Sequence, residues 1–173
     1  MRDFFIKTGR LGFSEWTDEL ILHAMDLWGD PTVCRLISAK GFFTGDEILA
    51  RVRAEMNNRH DYGIQYFPLF LLGSDSFIGC CGFRPYAGQT DAFEFGFYLL
   101  PKYWGKGYAT EASKMIIEYA YGSLGIRNIY AGHHPDNAAS AKTLERLGFV
   151  YLRDEFYPPT GLDHPLYIFK PRE

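Results

Sequence analysis

The chain lacks a long apolar run, a basic excess, a cysteine cluster, internal repeats and any linker of low complexity. Each absence removes a class of protein. No apolar stretch approaches a membrane span, so neither a spanning helix nor a membrane partner is expected. The first residues, Met1-Arg2-Asp3-Phe4-Phe5-Ile6-Lys7, lack a signal peptide's long apolar region, and the cytoplasm is the expected compartment. Net charge is −3 with scattered basic residues, which argues against nucleic acid as ligand. The three cysteines, Cys34 and the neighbours Cys80 and Cys81, lack metal-site spacing and read as reduced and structural. On a strand, Cys80 and Cys81 face opposite sides. No metal is expected. With 173 residues the chain reads as one domain, 1–173. Folding at that size buries roughly 70% of the unfolded surface, enough for a core without disulfides.

What is present is most concentrated in Pro101-Lys102-Tyr103-Trp104-Gly105-Lys106-Gly107-Tyr108-Ala109-Thr110-Glu111-Ala112. This stretch follows a strand-like run, 92–100, and opens a helix. Glycines at 105 and 107 permit torsions other residues resist and leave room for close approach. The helix behind them has N–H groups without internal partners, and its positive end favours an anion such as a pyrophosphate. A phosphate-binding P-loop is absent, and Thr110 stands where a dinucleotide fingerprint needs its third glycine. The ligand expected is phosphate-bearing but neither a P-loop nucleotide nor an ordinary nicotinamide cofactor. A plain strand-to-helix turn is the alternative.

The rest of the chain reads as a mixed α/β domain. A first strand covers 4–11. A helix opens at 17–19 with Thr17 as its cap, and another starts at Asp30-Pro31. Thr44 with Glu47 forms a capping box for a helix whose apolar face is Ile48, Leu49, Val52 and Met56. Strands follow at 65–72, 77–84 and 92–100, then a helix over 107–122 and a strand over 126–132. Pro135-Asp136-Asn137 starts a helix that stops at Gly148. Strands over 149–157 and 166–170 complete the order, linked by Pro158-Pro159-Thr160-Gly161. Trp16, Trp28, Phe42, Phe43, Tyr157 and Tyr167 are expected mostly in the core.

Three ordered segments carry a resemblance: Trp104-Gly105-Lys106-Gly107-Tyr108-Ala109, His134-Pro135-Asp136-Asn137-Ala138-Ala139-Ser140, and Leu144-Glu145-Arg146-Leu147-Gly148-Phe149. With Leu27-Trp28-Gly29-Asp30-Pro31 and Glu94-Phe95-Gly96-Phe97-Tyr98-Leu99, they closely resemble the GNAT N-acetyltransferases. The nearest branch looks like the ribosomal-protein alanine/serine N-terminal acetyltransferases. The resemblance implies a GNAT-like acyl-CoA N-acyltransferase fold, α/β, with a central twisted mixed sheet of about seven strands flanked by helices. It implies acetyl-CoA as co-substrate and a primary amine, a protein N-terminus or a small molecule, as acceptor. It further implies a monomer or homodimer that transfers by direct attack in a ternary complex.

Residue by residue, the resemblance implies that Trp104, Gly105, Lys106, Gly107, Tyr108, Ala109 and Thr110 hold the pyrophosphate. Trp104 replaces the family's Gln or Arg. Tyr98, Leu99 and Leu100 are implied along the pantetheine arm, with Asn137 and Ser140 on the other side. The strand 92–100 parts from 129–133, and the thioester lies in that gap. Glu94 is the candidate base, its alternative a structural glutamate on a strand. An α-amino acceptor, with pKa about 8, needs little help, whereas neutralising a lysine-like amine at pH 7 costs roughly 4–5 kcal/mol. Many relatives carry a Tyr where Leu144 stands, and Leu cannot donate a proton. Ser140 is then the candidate donor to the leaving thiolate, or else a helix-start residue serving the backbone. His133 and His134, adjacent on a strand, should point apart. Lys102, Lys106 and Lys142 read as phosphate partners or as solvated surface.

Two other functions stay open. One is a CoA-binding sensor or interaction protein that has lost transfer, which the absent Tyr at 144 favours. The other is antibiotic or polyamine acetylation, which favours an acidic acceptor groove, a grouping of Glu15, Asp18, Asp46 or Asp163 that the sequence leaves open.

Overall fold

A computed structural model describes residues 2–87, 89 and 91–171. The N-terminal segment, expected as one strand, is a hairpin. β1 (Ile6–Lys7) pairs antiparallel with β2 (Leu11–Phe13), and the Thr8 amide donates to the Leu11 carbonyl across the turn. A 3₁₀ turn over Asp18–Leu20 leads into α1 (Ile21–Trp28). Thr17 is extended and its side chain caps nothing, because the chain tightens into the 3₁₀ turn before the α-helix begins. α2 (Pro31–Cys34) is capped by Asp30, whose carboxylate accepts from the Thr32 and Val33 amides. α3 (Gly45–Tyr62) carries the expected capping box: the Glu47 amide donates to Thr44 Oγ1 at 3.3 Å and the Thr44 amide to Glu47 Oε2 at 2.8 Å.

β3 (Tyr66–Leu71), β4 (Phe77–Pro85) and β5 (Ala92–Leu99) form an antiparallel meander. α4 (Tyr108–Gly122) then carries the chain to β6 (Asn128–Gly132), which runs parallel to β5. α5 (Ala138–Leu147) ends on Gly148 in the left-handed conformation. β7 (Phe149–Tyr157) and β8 (Leu162–Phe169) close the chain as a hairpin. The described residues form a sheet of eight strands in the order β1-β2-β3-β4-β5-β6-β8-β7. The count exceeds the expected seven because the first strand is split by its own turn. β8 starts four residues before the expected 166, since the turn after Tyr157 is tight enough to pair Leu162 with Tyr157.

Both faces of the sheet are covered. One core gathers Trp16, Trp28, Ile48, Val52, Tyr66 and Phe70 with Cys80, under α1 and α3. The other gathers Phe83, Phe95, Ala112, Ile116, Ile129 and Leu144 with Cys81, under α4 and α5. The adjacent cysteines thus serve opposite faces, and all three cysteines are free and buried. Phe42 departs from the core expectation: it is about half exposed, on the segment before α3. No described helix is long and apolar enough to cross a membrane.

Candidate active site

β5 and β6 stay paired only from Ala92↔Asn128 to Glu94↔Tyr130. Beyond that point β5 continues to Leu99 with no partner strand on the β6 side among the described residues. The Leu100 amide donates to the Ile78 carbonyl at 2.9 Å. By antiparallel alternation, the backbone groups of Phe95, Phe97 and Leu99 then face away from β4, toward the gap. A cleft of about 750 Å³ opens there. It runs from the glycine loop and the start of α5 to the far ends of β4 and β7, and α2 borders it.

At one end, Gly105 and Gly107 have φ of +72° and +79°, the left-handed region where a side chain is strained. Gly107 is the residue immediately before α4, so the first helical amides point outward at the cleft. Tyr98, Leu99, Trp104, Gly105, Gly107, Tyr108, Ala109 and Thr110 all line the cleft. Leu100 and Lys106 do not. Leu100 spends its amide on Ile78 and packs its side chain against the α1/α3 core, while the Lys106 carbonyl accepts from Arg10 at 3.0 Å. Trp104 works through its ring: Nε1 donates to the Leu99 carbonyl at 2.7 Å, tying the loop to the end of β5.

Across the gap, Asn137 caps α5, its Oδ1 accepting the Ser140 amide at 3.1 Å. The cap is therefore Asn137 and not Ser140. The Ser140 hydroxyl has no described bond and lines the cleft. Leu144 is buried in the core, so no proton donor stands at that position.

At the other end, Arg84 grips Glu94 from the neighbouring strand. Its Nε and Nη2 both reach Oε2, at 2.9 and 2.8 Å, and Nη2 is 3.5 Å from the Tyr157 hydroxyl. No described residue bonds Oε1 of Glu94, which lines the cleft. The second carboxylate there, Glu155, accepts from the Tyr86 hydroxyl at 2.7 and 2.9 Å and from Arg153 at 2.7 Å. Burial works against its charge, yet the bonds from Tyr86 and Arg153 hold its pKa below the ordinary value. Tyr66 and Tyr98 add aromatic walls, and burial pushes the Tyr98 phenol up to about 12. Gly96 makes room here: a Cβ would lie 2.9 Å from the Tyr66 hydroxyl.

His133 and His134 follow β6 and both line the cleft, rather than pointing apart, because the strand ends at Gly132 and the chain turns. His133 Nδ1 is 2.8 Å from the His134 carbonyl and its Nε2 is 3.3 Å from the Tyr167 hydroxyl. Since a carbonyl only accepts, Nδ1 of His133 carries a proton. His164 joins them from β8, with Nε2 at 2.7 Å from Thr160 Oγ1. Burial, with His134 and His133 nearby, pushes its pKa down to about 4, so it is neutral at physiological pH. Among the described residues no three His, Cys, Asp or Glu side chains converge as a metal site requires.

Glu15, Asp18, Asp46 and Asp163 line no part of the cleft, and Glu15 is paired with Arg59 at 2.7 Å. Arg84, Glu155 and His164 were not singled out in the sequence. Arg84 meets Glu94 across a strand pair and Glu155 meets Tyr86 from a residue 69 positions away, contacts that leave no local signal, while His164 meets Thr160 across the β7–β8 turn.

A glycine loop at a helix start, a parallel strand pair that splays and a carboxylate facing the gap agree with the acyltransferase class that the resemblance implies. A family model described as "Acetyltransferase (GNAT) domain" matches residues 10–150, and the chain belongs to that family. It is an N-acetyltransferase, as its relatives are named. It is 31% identical over 147 residues to an uncharacterised N-acetyltransferase, p20, of Bacillus licheniformis, covering 78% of this chain and 80% of that one. A GNAT-family acetyltransferase structure from Bacillus anthracis matches with TM-score 0.80 and 25% identity over 96% of this chain and 98% of that one. The fold also matches a ribosomal L7/L12 α-N-protein acetyltransferase solved with coenzyme A, with TM-score 0.79 and 13% identity over 96% and 97% of the two chains.

Proposed function

We propose that this N-acetyltransferase takes its acetyl group from acetyl-CoA and passes it directly to a primary amine, with no covalent enzyme intermediate. The observation that carries the reading is the divergence of β5 from β6 after Glu94, which opens a cleft ending on the left-handed glycines. Acetyl-CoA supplies an activated acetyl thioester. The residues present fit it: the amides of 105 and 107–109 would face the pyrophosphate, the outward backbone of Phe97 and the Leu99 amide would meet the amide-bearing arm, and Asn137 and Ser140 line the opposite wall. The same backbone edge supplies N–H donors for the charge that develops on the carbonyl oxygen.

Glu94 stands at the acceptor end. Its free Oε1 takes the proton from the incoming amine, directly or through one water, while Arg84 fixes Oε2. As the C–S bond breaks, the thiolate collects a proton from water or from the Ser140 hydroxyl, which water reprotonates, and Glu94 returns its proton to solvent. Thiol pKa values near 8.5 make that assistance small.

The acceptor is an α-amine of a peptide N-terminus or a small-molecule amine. A polyamine is disfavoured among them, because the described carboxylates at the acceptor end, Glu94 and Glu155, are each paired with an arginine. Buried Leu144 is the one observation on the side of a CoA-binding protein without transfer. Thiol release from acetyl-CoA, screened over N-terminal peptides, amino acids and polyamines, tests the reading. Turnover with α-amines above polyamines supports it. Binding of acetyl-CoA without release for any amine favours the non-enzymatic reading, and no thermal shift at millimolar acetyl-CoA overturns the co-substrate itself.

A further inference from the structure

The turn between β1 and β2 lies against the glycine loop, from which it is separated by 96 to 103 residues of sequence. Glu111, in the first turn of α4, is the anchor. It accepts from the Thr8 hydroxyl at 2.5 Å, from the Arg10 amide at 3.0 Å and from Arg10 Nε at 2.7 Å, and Arg10 Nη2 lies 2.6 Å away. The same guanidinium donates through Nη1 to the Lys106 carbonyl at 3.0 Å and stacks on the Tyr108 ring, 4.4 Å from its centre. Arg10 thus holds the residue before Gly107, the residue after it and the carboxylate one turn on. Its own backbone is fixed, since its carbonyl accepts the Leu72 amide at 2.9 Å.

Two physical consequences follow. The Lys106–Tyr108 backbone, which needs a left-handed residue at its centre, is tied down on both sides of that residue. The second is electrostatic. A carboxylate in a helix's first turn suits the helix dipole but repels an anion bound at the same end. The Arg10 charge cancels Glu111 where a pyrophosphate would sit.

We infer that Arg10 is a positioning residue for phosphate recognition, presenting the loop amides and neutralising Glu111. The inference rests on the acetyl-CoA reading above. An ordinary surface ion pair would contribute little to stability and be indifferent to the donor's phosphates.

The test compares acetyl-CoA with S-acetyl-pantetheine, which keeps the thioester arm and lacks the pyrophosphate and nucleotide. In Arg10→Met, KM for acetyl-CoA should rise about tenfold, because the loop amides lose their tether and the Glu111 charge is left unopposed near the phosphates, with kcat at saturation unchanged. KM for acetyl-pantetheine should not change. Arg10→Lys keeps the charge but not the fork, and should recover part of the loss; it also serves if the methionine variant fails to fold. Equal losses with both donors would make Arg10 a structural residue, and an unchanged acetyl-CoA KM would remove any role. A wild-type protein that uses neither donor would instead overturn the acetyl-CoA reading itself.

Discussion

Glu94 offers one oxygen to Arg84 and keeps the other toward the cleft, so its two roles separate on one side chain. Glu94→Gln preserves an oxygen for Arg84 and removes the proton acceptor. Turnover with an α-amine peptide should fall at neutral pH while acetyl-CoA affinity holds. The deficit should narrow as pH passes the amine's own value, about 8, and a rate–pH profile of both proteins reads this directly. A deficit constant with pH would assign Glu94 to positioning. Ser140 is decided by two measurements on one sample. Because Asn137 supplies the cap, Ser140→Ala should leave the melting temperature nearly unchanged, and turnover should drop by about 10²-fold or less. Unchanged turnover would leave the thiolate to water. Glu55 is a different kind of residue, buried in α3 with its Oε2 accepting the Tyr66 amide at 2.7 Å. Burial pushes its carboxyl up to about 7, against the Tyr66 bond and the Arg51 and Arg84 charges. A carboxyl with a raised folded pKa holds its proton better folded than unfolded. Its contribution is therefore full below the unfolded value, about 4.3, and is lost as pH rises through about 7. Denaturant titrations should show Glu55→Gln matching wild type near pH 4 and exceeding it above pH 7, by a few kcal/mol at most. A stability difference that does not vary with pH would show that Glu55 does not titrate in this range.

At the scale of elements, the loop 104–107 is the piece whose geometry is least replaceable. Gly107→Glu puts a Cβ where φ is +79° and an anion where phosphate is proposed to bind. Calorimetry should show no acetyl-CoA binding while circular dichroism keeps the helical signal; wild-type affinity would reduce the loop to a turn. This loop was readable because its cause is local: two glycines between a strand and a helix. The capping box of α3 and the stop of α5 were readable for the same reason, with Thr44, Glu47 and Gly148 acting within a few residues of themselves. The β1–β2 turn at Thr8–Arg10 was not, since a short hairpin and one strand share the same apolar spacing. Arg84 on Glu94, Tyr86 on Glu155 and Arg10 on Glu111 depend on register and on contacts far apart in sequence, which periodicity does not encode. The buried Glu55 did leave a trace, three residues after Val52 on the helix's apolar face, where a charged residue is out of pattern.

At the scale of the molecule, the sheet does two jobs with one irregularity. Its meander half, β1 to β5, buries the α1/α3 core, and its other half, β6 to β8, supplies the opposite wall of the cleft. Along the sheet, the two halves pair over three described residue pairs, 92–94 with 128–130. Those pairs are the hinge of the wedge, and Glu94 sits at its apex. The strand order has a further effect. Since β8 lies between β6 and β7, a ribosome delivers both neighbours before the strand that joins them. β6 waits with one edge bare, an invitation to mispairing, and His133 has no Tyr167 to lean on. Until residues 162–169 have emerged, a nascent chain therefore shows chaperones an open strand edge beside the cleft.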